Sequence, residues 1–277
     1  MSDAPWRCPV CRERLAITDS GRQWGCRNGH GFDVAREGYV NLLTAGRRRS
    51  RQPGDSREMV SARRRFLATG AYDPLSSAIA AVVAAEQPKL VLDVGCGEGR
   101  HTRAMSAPLI LGIDIAKAAV AAAARAHRTG SYAVASAADL PLDDAAVDVA
   151  VNVFGPVSAP ELARVVRPGG AVVAAHPGPA HLEGLRLLVY PEARPHEVKP
   201  PLREAGEWFT QSDSRSVTFP VAATETAGLH DLFAMTPYRW HAPADIDERI
   251  AAAVSPRFET VADVRITVYH RKPVLPG

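Results

Sequence analysis

The sequence predicts an α/β protein, a doubly wound parallel sheet preceded by a small metal-binding module. Three observations carry that prediction. From Leu90 onward, short runs rich in Val, Ile and Leu alternate with segments of helical length, the pattern of right-handed βαβ crossovers. The first run, Leu90-Val91-Leu92-Asp93-Val94, feeds a turn with glycines at alternate positions, Gly95, Gly97 and Gly99. Cys8, Cys11, Cys26 and His30 crowd into the N-terminal stretch ahead of that body.

The N-terminal stretch comes first in the chain. Cys8-Pro9-Val10-Cys11 and Cys26-Arg27-Asn28-Gly29-His30 are two knuckles separated by fourteen residues. Each knuckle presents two ligands to one tetrahedral centre, and three thiolates with one imidazole form a structural zinc set. Gly21, Trp24 and Gly25 in the spacer suit a short hairpin. A module of this size, residues 1–36, cannot bury enough apolar surface alone, so the metal supplies the missing folding energy. Four protein ligands close the site, which excludes a catalytic zinc. Pairing all four cysteines as disulfides would tie the glycine turn to this module, so Cys96 reads instead as a small buried residue. Reduced cysteines and a polar start with no apolar run of spanning length predict a cytoplasmic protein with no membrane partner.

Residues 37–88 form a basic connector with two helices. Positions 47 to 65 hold eight arginines, Arg47, Arg48, Arg49, Arg51, Arg57, Arg63, Arg64 and Arg65, opposed only by Asp55 and Glu58. The whole chain carries only +3, so the rest is net acidic. Guanidinium groups bind phosphate bidentately and stack on bases, so Arg47, Arg48, Arg49, Arg51, Arg63 and Arg64 are candidate nucleic-acid contacts; the alternative is a solvated linker whose arginines answer acids elsewhere. Ser56 caps a helix from Arg57 to Leu67, Gly70 ends it, and a second helix follows over Leu75–Ala85.

The body, residues 89–277, predicts strands at Leu90–Val94, Leu109–Asp114, Tyr132–Ala135, Val147–Val153 and Ala171–Ala175. Helices are expected at Gly99–Ser106, Ala116–Ala126 and Ala159–Val166. Beyond His181 the pattern loosens into a proline-rich loop. A strand over Phe209–Phe219, helices over Thr224–Phe233 and Asp245–Val254, and a last, antiparallel strand over Val261–His270 follow. Met235 and Trp240 flank a proline turn and are expected to pack the core.

Ligands of such sheets bind beyond the carboxyl ends of the strands. Asp93 and the three glycines stand there after the first strand, Asp114 after the second, Asp139 after the third and Asn152 after the fourth. The glycine spacing is not that of a dinucleotide site, and no Walker lysine is present. Val-Leu-Asp-Val-Gly-Cys-Gly-Glu-Gly resembles the Rossmann-like class I S-adenosylmethionine-dependent methyltransferases. Asp114, Ala138-Asp139-Leu140-Pro141 and Arg164-Val165-Val166-Arg167-Pro168-Gly169-Gly170 extend that resemblance. It implies S-adenosylmethionine as cofactor, with Asp93, Gly95, Gly97, Gly99, Asp114 and Asp139 around it.

A narrower resemblance spans nearly the whole chain. It rests on the cysteine knuckles, Phe32-Asp33-x-Ala35-Arg36-x-Gly38-Tyr39, Pro53-Gly54-Asp55-Ser56, Gly70-x-Tyr72-x-Pro74, Asn152-Val153-Phe154-x-Pro156, Pro177-Gly178-Pro179-x-His181 and Met235-Thr236-Pro237-x-x-Trp240. In these the chain is similar to the 23S rRNA guanine-N1 methyltransferases, including their macrolide-resistance branch. The resemblance implies a zinc-bearing RNA-recognition module, a homodimer with a basic cleft, and methylation of a guanine in a 23S rRNA hairpin loop near the peptide exit tunnel. It adds Tyr72, Arg100 and His181, beside Gly99, as cofactor contacts. The connector resembles the enteric housekeeping form and Asn152-Val153-Phe154 the Gram-positive form, so the modified guanine stays open.

For the reaction, Asn152 can hydrogen-bond a base edge and Phe154 can stack on a flipped base; Asn152 can equally satisfy local backbone. His176 and Asp139 are candidate bases. Two other readings share the motifs: methylation of a small molecule, and a non-enzymatic RNA-binding assembly factor. The arginine cluster favours RNA over the first, and the intact cofactor set argues against the second.

Overall fold

The computed structural model describes residues 4–18, 21–44, 54–190, 192, 195 and 197–273. Arg47, Arg48, Arg49 and Arg51 lie outside them. A small antiparallel sheet holds β1 (Ala16–Ile17), β2 (Gln23–Gly25) and β3 (Gly31–Asp33). After β4 (Tyr39–Asn41) come α1 (Arg57–Ala68) and α2 (Asp73–Ala85). Ser56 caps α1 as expected, its hydroxyl accepting from the Met59 amide. The body then runs β5 (Leu90–Val94), β6 (Leu109–Asp114), α3 (Lys117–Ala126), β7 (Ser131–Val134), β8 (Val147–Val153), α4 (Ala159–Val165) and β9 (Val166–Pro177). It ends with α5 (Glu183–Val189), β10 (Phe209–Ala223), α6 (Thr226–Ala234), α7 (Ile246–Ala253) and β11 (Phe258–Arg271).

The large sheet has eight strands in the order β10-β11-β9-β8-β5-β6-β7-β4. Strands from β9 to β4 are parallel to their neighbours, and β11 and β10 add an antiparallel edge. Side chains alternate between its faces, as the pleat requires. Val91 and Val149 enter one core with α1, α2, α5, α6 and α7, whereas Leu90, Leu92 and Ala150 enter another. That second core also receives Trp6 and Trp24 from the zinc module, whose rings lie 5.5 Å apart. The module is fixed to the body by Trp6 Nε1 donating to Ser131 Oγ (3.0 Å) and by ion pairs Arg7–Asp143 and Arg12–Asp139.

Three sequence expectations change. Gly99–Ser106 is not a helix: Gly99 has φ +85°, Met105 is extended, and only a 3-10 turn at Thr102–Ala104 remains. Tyr39–Asn41, expected in the connector, joins the large sheet beside β7. Trp240 does not pack the core but stands 67% exposed. No single described helix is long and apolar enough to cross a membrane.

Candidate active site and metal centre

The metal-ligand atoms of Cys8, Cys11, Cys26 and His30 all lie within 4.8 Å of one another. Cys11 Sγ and Cys26 Sγ are 3.6 Å apart, and Cys26 Sγ and His30 Nδ1 are 3.4 Å apart. Tetrahedral zinc with ordinary bond lengths requires about 3.8 Å and about 3.5 Å for such pairs. The four ligands therefore fit zinc, with His30 binding through Nδ1. The Glu13 backbone amide stabilises the Cys11 thiolate and draws its pKa down to about 6.

Beyond the carboxyl end of β5 lies a cavity of about 460 Å³, within the range of cofactor sites. Its floor is the glycine turn. The Gly95 and Cys96 amides donate to the Ile113 carbonyl, which locks the turn against β6. The Gly97 and Ala116 amides donate to opposite oxygens of Asp114 (3.0 and 2.8 Å), fixing a half-buried carboxylate whose pKa desolvation raises. Asp93 is fully enclosed and accepts from Thr102 Oγ1 (2.5 Å); burial pushes its pKa to about 7.

The walls come from distant parts of the chain. Tyr72 stands between Phe66 and Phe219, edge-on to both. Arg100 pairs with Asp73. His101 accepts or donates at Nδ1 to Ser76 Oγ (2.9 Å), and burial lowers its pKa to about 4, so it is neutral. Gly54, with φ +78°, presses against Ile115 where a Cβ would collide at 2.7 Å. Arg63 pairs with Asp55 (2.5 Å) and donates to the Met235 carbonyl (3.3 Å). At the mouth, Phe154 and His181 face each other, ring centres 5.3 Å apart. Phe154 and the neighbouring Leu182 both hold positive φ, +57° and +50°, a strained backbone that clusters at ligand sites.

The cavity thus gathers Tyr72, Asp93, Gly95, Gly97, Arg100, Asp114, Phe154 and His181 from the sequence-based set. Gly99 supports it from behind, where an added Cβ would stand 3.0 Å from Ala123. Four acids, Asp55, Asp93, Glu98 and Asp114, outnumber two arginines in the lining. That balance suits S-adenosylmethionine, which carries a sulfonium and an ammonium against one carboxylate.

Other candidates fall elsewhere. Asn152 is 1% exposed, and its amide donates to the carbonyls of Val94 (2.8 Å) and Pro156 (3.5 Å). Its hydrogens hold two loops together and are not offered to a base edge. Asp139 stands outside the cavity, paired with Arg12 of the zinc module. His176 is buried against Thr267 Oγ1 (3.3 Å) and outside it too. Arg63 faces the cavity and not an exposed RNA surface. Sequence reasoning missed Gly54, Asp55, Glu98, His101 and Thr236–Tyr238 as lining; the Pro53-Gly54-Asp55-Ser56 and Met235-Thr236-Pro237 blocks already marked most of them.

A second concavity, about 370 Å³, runs between α1 and α3. Arg57, Arg64, Lys117 and Arg125 line it with Glu37 as the lone acid. Arg125 pairs with Glu37 (3.2 Å); Arg57, Arg64 and Lys117 form no salt bridge among the described residues.

Comparison with known proteins agrees with this geometry. The family described as "RlmA, N-terminal", a zinc ribbon, matches residues 6–51, and a methyltransferase domain matches residues 92–174. A Micromonospora griseorubida protein assigned as a 23S rRNA (guanine-N(1)-)-methyltransferase is 39% identical, covering 95% of this chain and 96% of its own. The 23S rRNA (guanine(748)-N(1))-methyltransferase of Streptomyces fradiae is 36% identical over 96% of this chain and 97% of its own. A Bacillus subtilis relative with the same assignment as the first is 32% identical over 87% and 88%. A glycine-floored S-adenosylmethionine cavity and a closed zinc ribbon stand on one chain, and its 36–39% identity to these relatives over almost its full length places this protein in the family of 23S rRNA (guanine-N1)-methyltransferases.

Proposed function

We propose that this chain methylates N1 of a guanine in a hairpin loop of 23S rRNA near the peptide exit tunnel, using S-adenosylmethionine. The observation that carries the reading is the exposed Phe154 at the mouth of a cavity built for that cofactor. When bound, the cofactor supplies an electrophilic methyl group on a sulfonium. The chain's part is placement. Asp93 and Asp114 set an acidic floor, Tyr72 and Arg100 a wall, and Phe154 a planar face on which an unstacked guanine rests. Asn152 acts as a brace that keeps the β5 and β8 loops in register, a positioning role. The cationic groove along α1 and α3, with the arginines ahead of α1, holds the RNA backbone. The reading includes a homodimer in the cytoplasm, where the zinc thiolates stay reduced.

Primer extension on 23S rRNA tests this. N1 methylation blocks Watson–Crick pairing, so reverse transcriptase should stop one nucleotide short of the modified guanine in cells carrying the gene and read through in cells lacking it. The position of the stop also identifies the guanine, which the two branch resemblances leave open. Read-through in both strains, together with no methyl incorporation into the rRNA, sinks the proposal.

A further inference from the structure

Two large aromatic side chains stand in solvent among the described residues: one lines the cavity and the other sits on a turn whose neighbouring residues line it. Phe154 is 42% exposed at its mouth. Trp240 is 67% exposed, while Trp6, Trp24 and Trp208 are buried or half-buried. Trp240 belongs to the 3-10 turn Pro237–His241, whose Pro237 and Tyr238 line the cavity. Its backbone is therefore fixed to the cavity wall while its ring projects outward. The Arg239 guanidinium lies over that ring, 4.9 Å from its centre. The same guanidinium acts electrostatically on Glu58 in the first turn of α1. The pair is thus tied to the cavity wall through its own turn and lies within electrostatic reach of the first turn of α1.

An exposed indole retained beside a ligand site, with a cation on one face and solvent around the rest, is the arrangement that stacks unpaired bases. We propose that Trp240, backed by Arg239, is the stacking platform for the unpaired loop nucleotide next to the guanine presented to the cavity. The inference rests on the rRNA reading above and adds to it a second base-binding position. Phe154 receives the reacting base; Trp240 holds its neighbour and so sets the register of the loop. The occupant is a nucleobase and not an apolar protein surface, because Arg239 sets a phosphate-binding charge on the ring itself.

The test uses the full-length, zinc-loaded protein with S-adenosylhomocysteine and a synthetic hairpin of the target rRNA. Trp240→Ala should weaken hairpin binding roughly 5- to 150-fold, the range of one base–aromatic stack. Trp240→Phe should restore most of that loss. S-adenosylhomocysteine affinity, zinc content and melting temperature should stay as in the wild type. An abasic site at one loop position beside the target should weaken the wild type but cost Trp240→Ala nothing further, a coupling that general loss of structure does not produce. Wild-type affinity in Trp240→Ala, or additive losses at every abasic position, overturns the platform. So does conversion of a wild-type dimer to a monomer in Trp240→Ala, which would make the residue a subunit contact. If the wild type neither binds nor methylates the hairpin, the rRNA reading fails as well. A fully active wild type with an unaffected Trp240→Ala removes the platform alone.

Discussion

Gly97 and Gly99 share a positive φ, +55° and +85°, but meet different neighbours. A Cβ on Gly99 would stand 3.0 Å from the Ala123 Cα and Cβ, inside the packing between turn and helix. A Cβ on Gly97 meets only Arg63 Nη1, at 3.8 Å, on the cavity side. Gly99→Ala should therefore cost about 2–3 kcal/mol of stability, seen as a lower denaturant midpoint. Gly97→Ala should cost only about 1 kcal/mol of stability yet lower S-adenosylhomocysteine affinity more than Gly99→Ala does, when both are measured by calorimetry. Asp93 yields a pH prediction. Burial raises its pKa to about 7, so the fold binds a proton that the unfolded chain releases, and this group removes stability as pH rises from about 4 to 7. A cationic ligand favours the ionised carboxylate and lowers that pKa. Cofactor affinity should then rise with pH between about 6 and 8, with up to about half a proton released per binding event at pH 7. Calorimetry in buffers of different ionisation heat measures that proton, and Asp93→Asn should abolish it.

Among the elements, the zinc ribbon is the most separable. None of its ligands lines the cavity, and it meets the body through Trp6, Arg7 and Arg12. Stripping zinc with a strong chelator should release about one equivalent per chain and erase the near-ultraviolet circular dichroism of the Trp6–Trp24 pair. S-adenosylhomocysteine affinity should hold within about threefold, as expected of distant sites, while hairpin RNA affinity falls. The zinc ligands, the glycine turn and the strands β5, β6 and β8 were legible in the sequence because each is a local pattern: spacing, φ-permissive residues, or an unbroken apolar run. What escaped is set by tertiary contact. Three residues are too few for β4 to show a period, so its pairing with β7 was invisible. Arg63 and Arg64 are adjacent in the arginine run, yet the helical turn sends one to Asp55 in the cavity and the other to the groove. Asn152 carried the right residue type at a strand end, but its hydrogens are spent on Val94 and Pro156. A proline turn flanked by Met235 and Trp240 carries the pattern of a packed corner, and only the fold shows the Trp240 ring outside.

Across the whole molecule, charge is segregated. The chain is nearly neutral at +3, yet Arg57, Arg64 and Lys117 line one groove with no salt bridge among the described residues, and the cavity is acidic. RNA affinity should therefore fall with salt, each phosphate contact contributing about 0.7–0.9 to the slope of log affinity against log salt. Replacing Arg57, Arg64 and Lys117 together by glutamine should reduce that slope by about 2–3 and leave S-adenosylhomocysteine binding unchanged. An unaltered slope would place the RNA on another face.

Gly54, Asp55, Arg63 and Tyr72 form one wall of the cofactor cavity, although the strand that carries its floor begins only at Leu90. This governs how the protein can be recombined with its relatives. A chimera joined just before Leu90 mates one parent's wall with the other's floor and should lose cofactor affinity whenever those surfaces differ. A join between Asp33 and Tyr39 exchanges the ribbon while keeping β4, α1 and the cavity from a single parent. Grafted recognition modules should therefore remain catalytically competent only when the crossover lies upstream of β4.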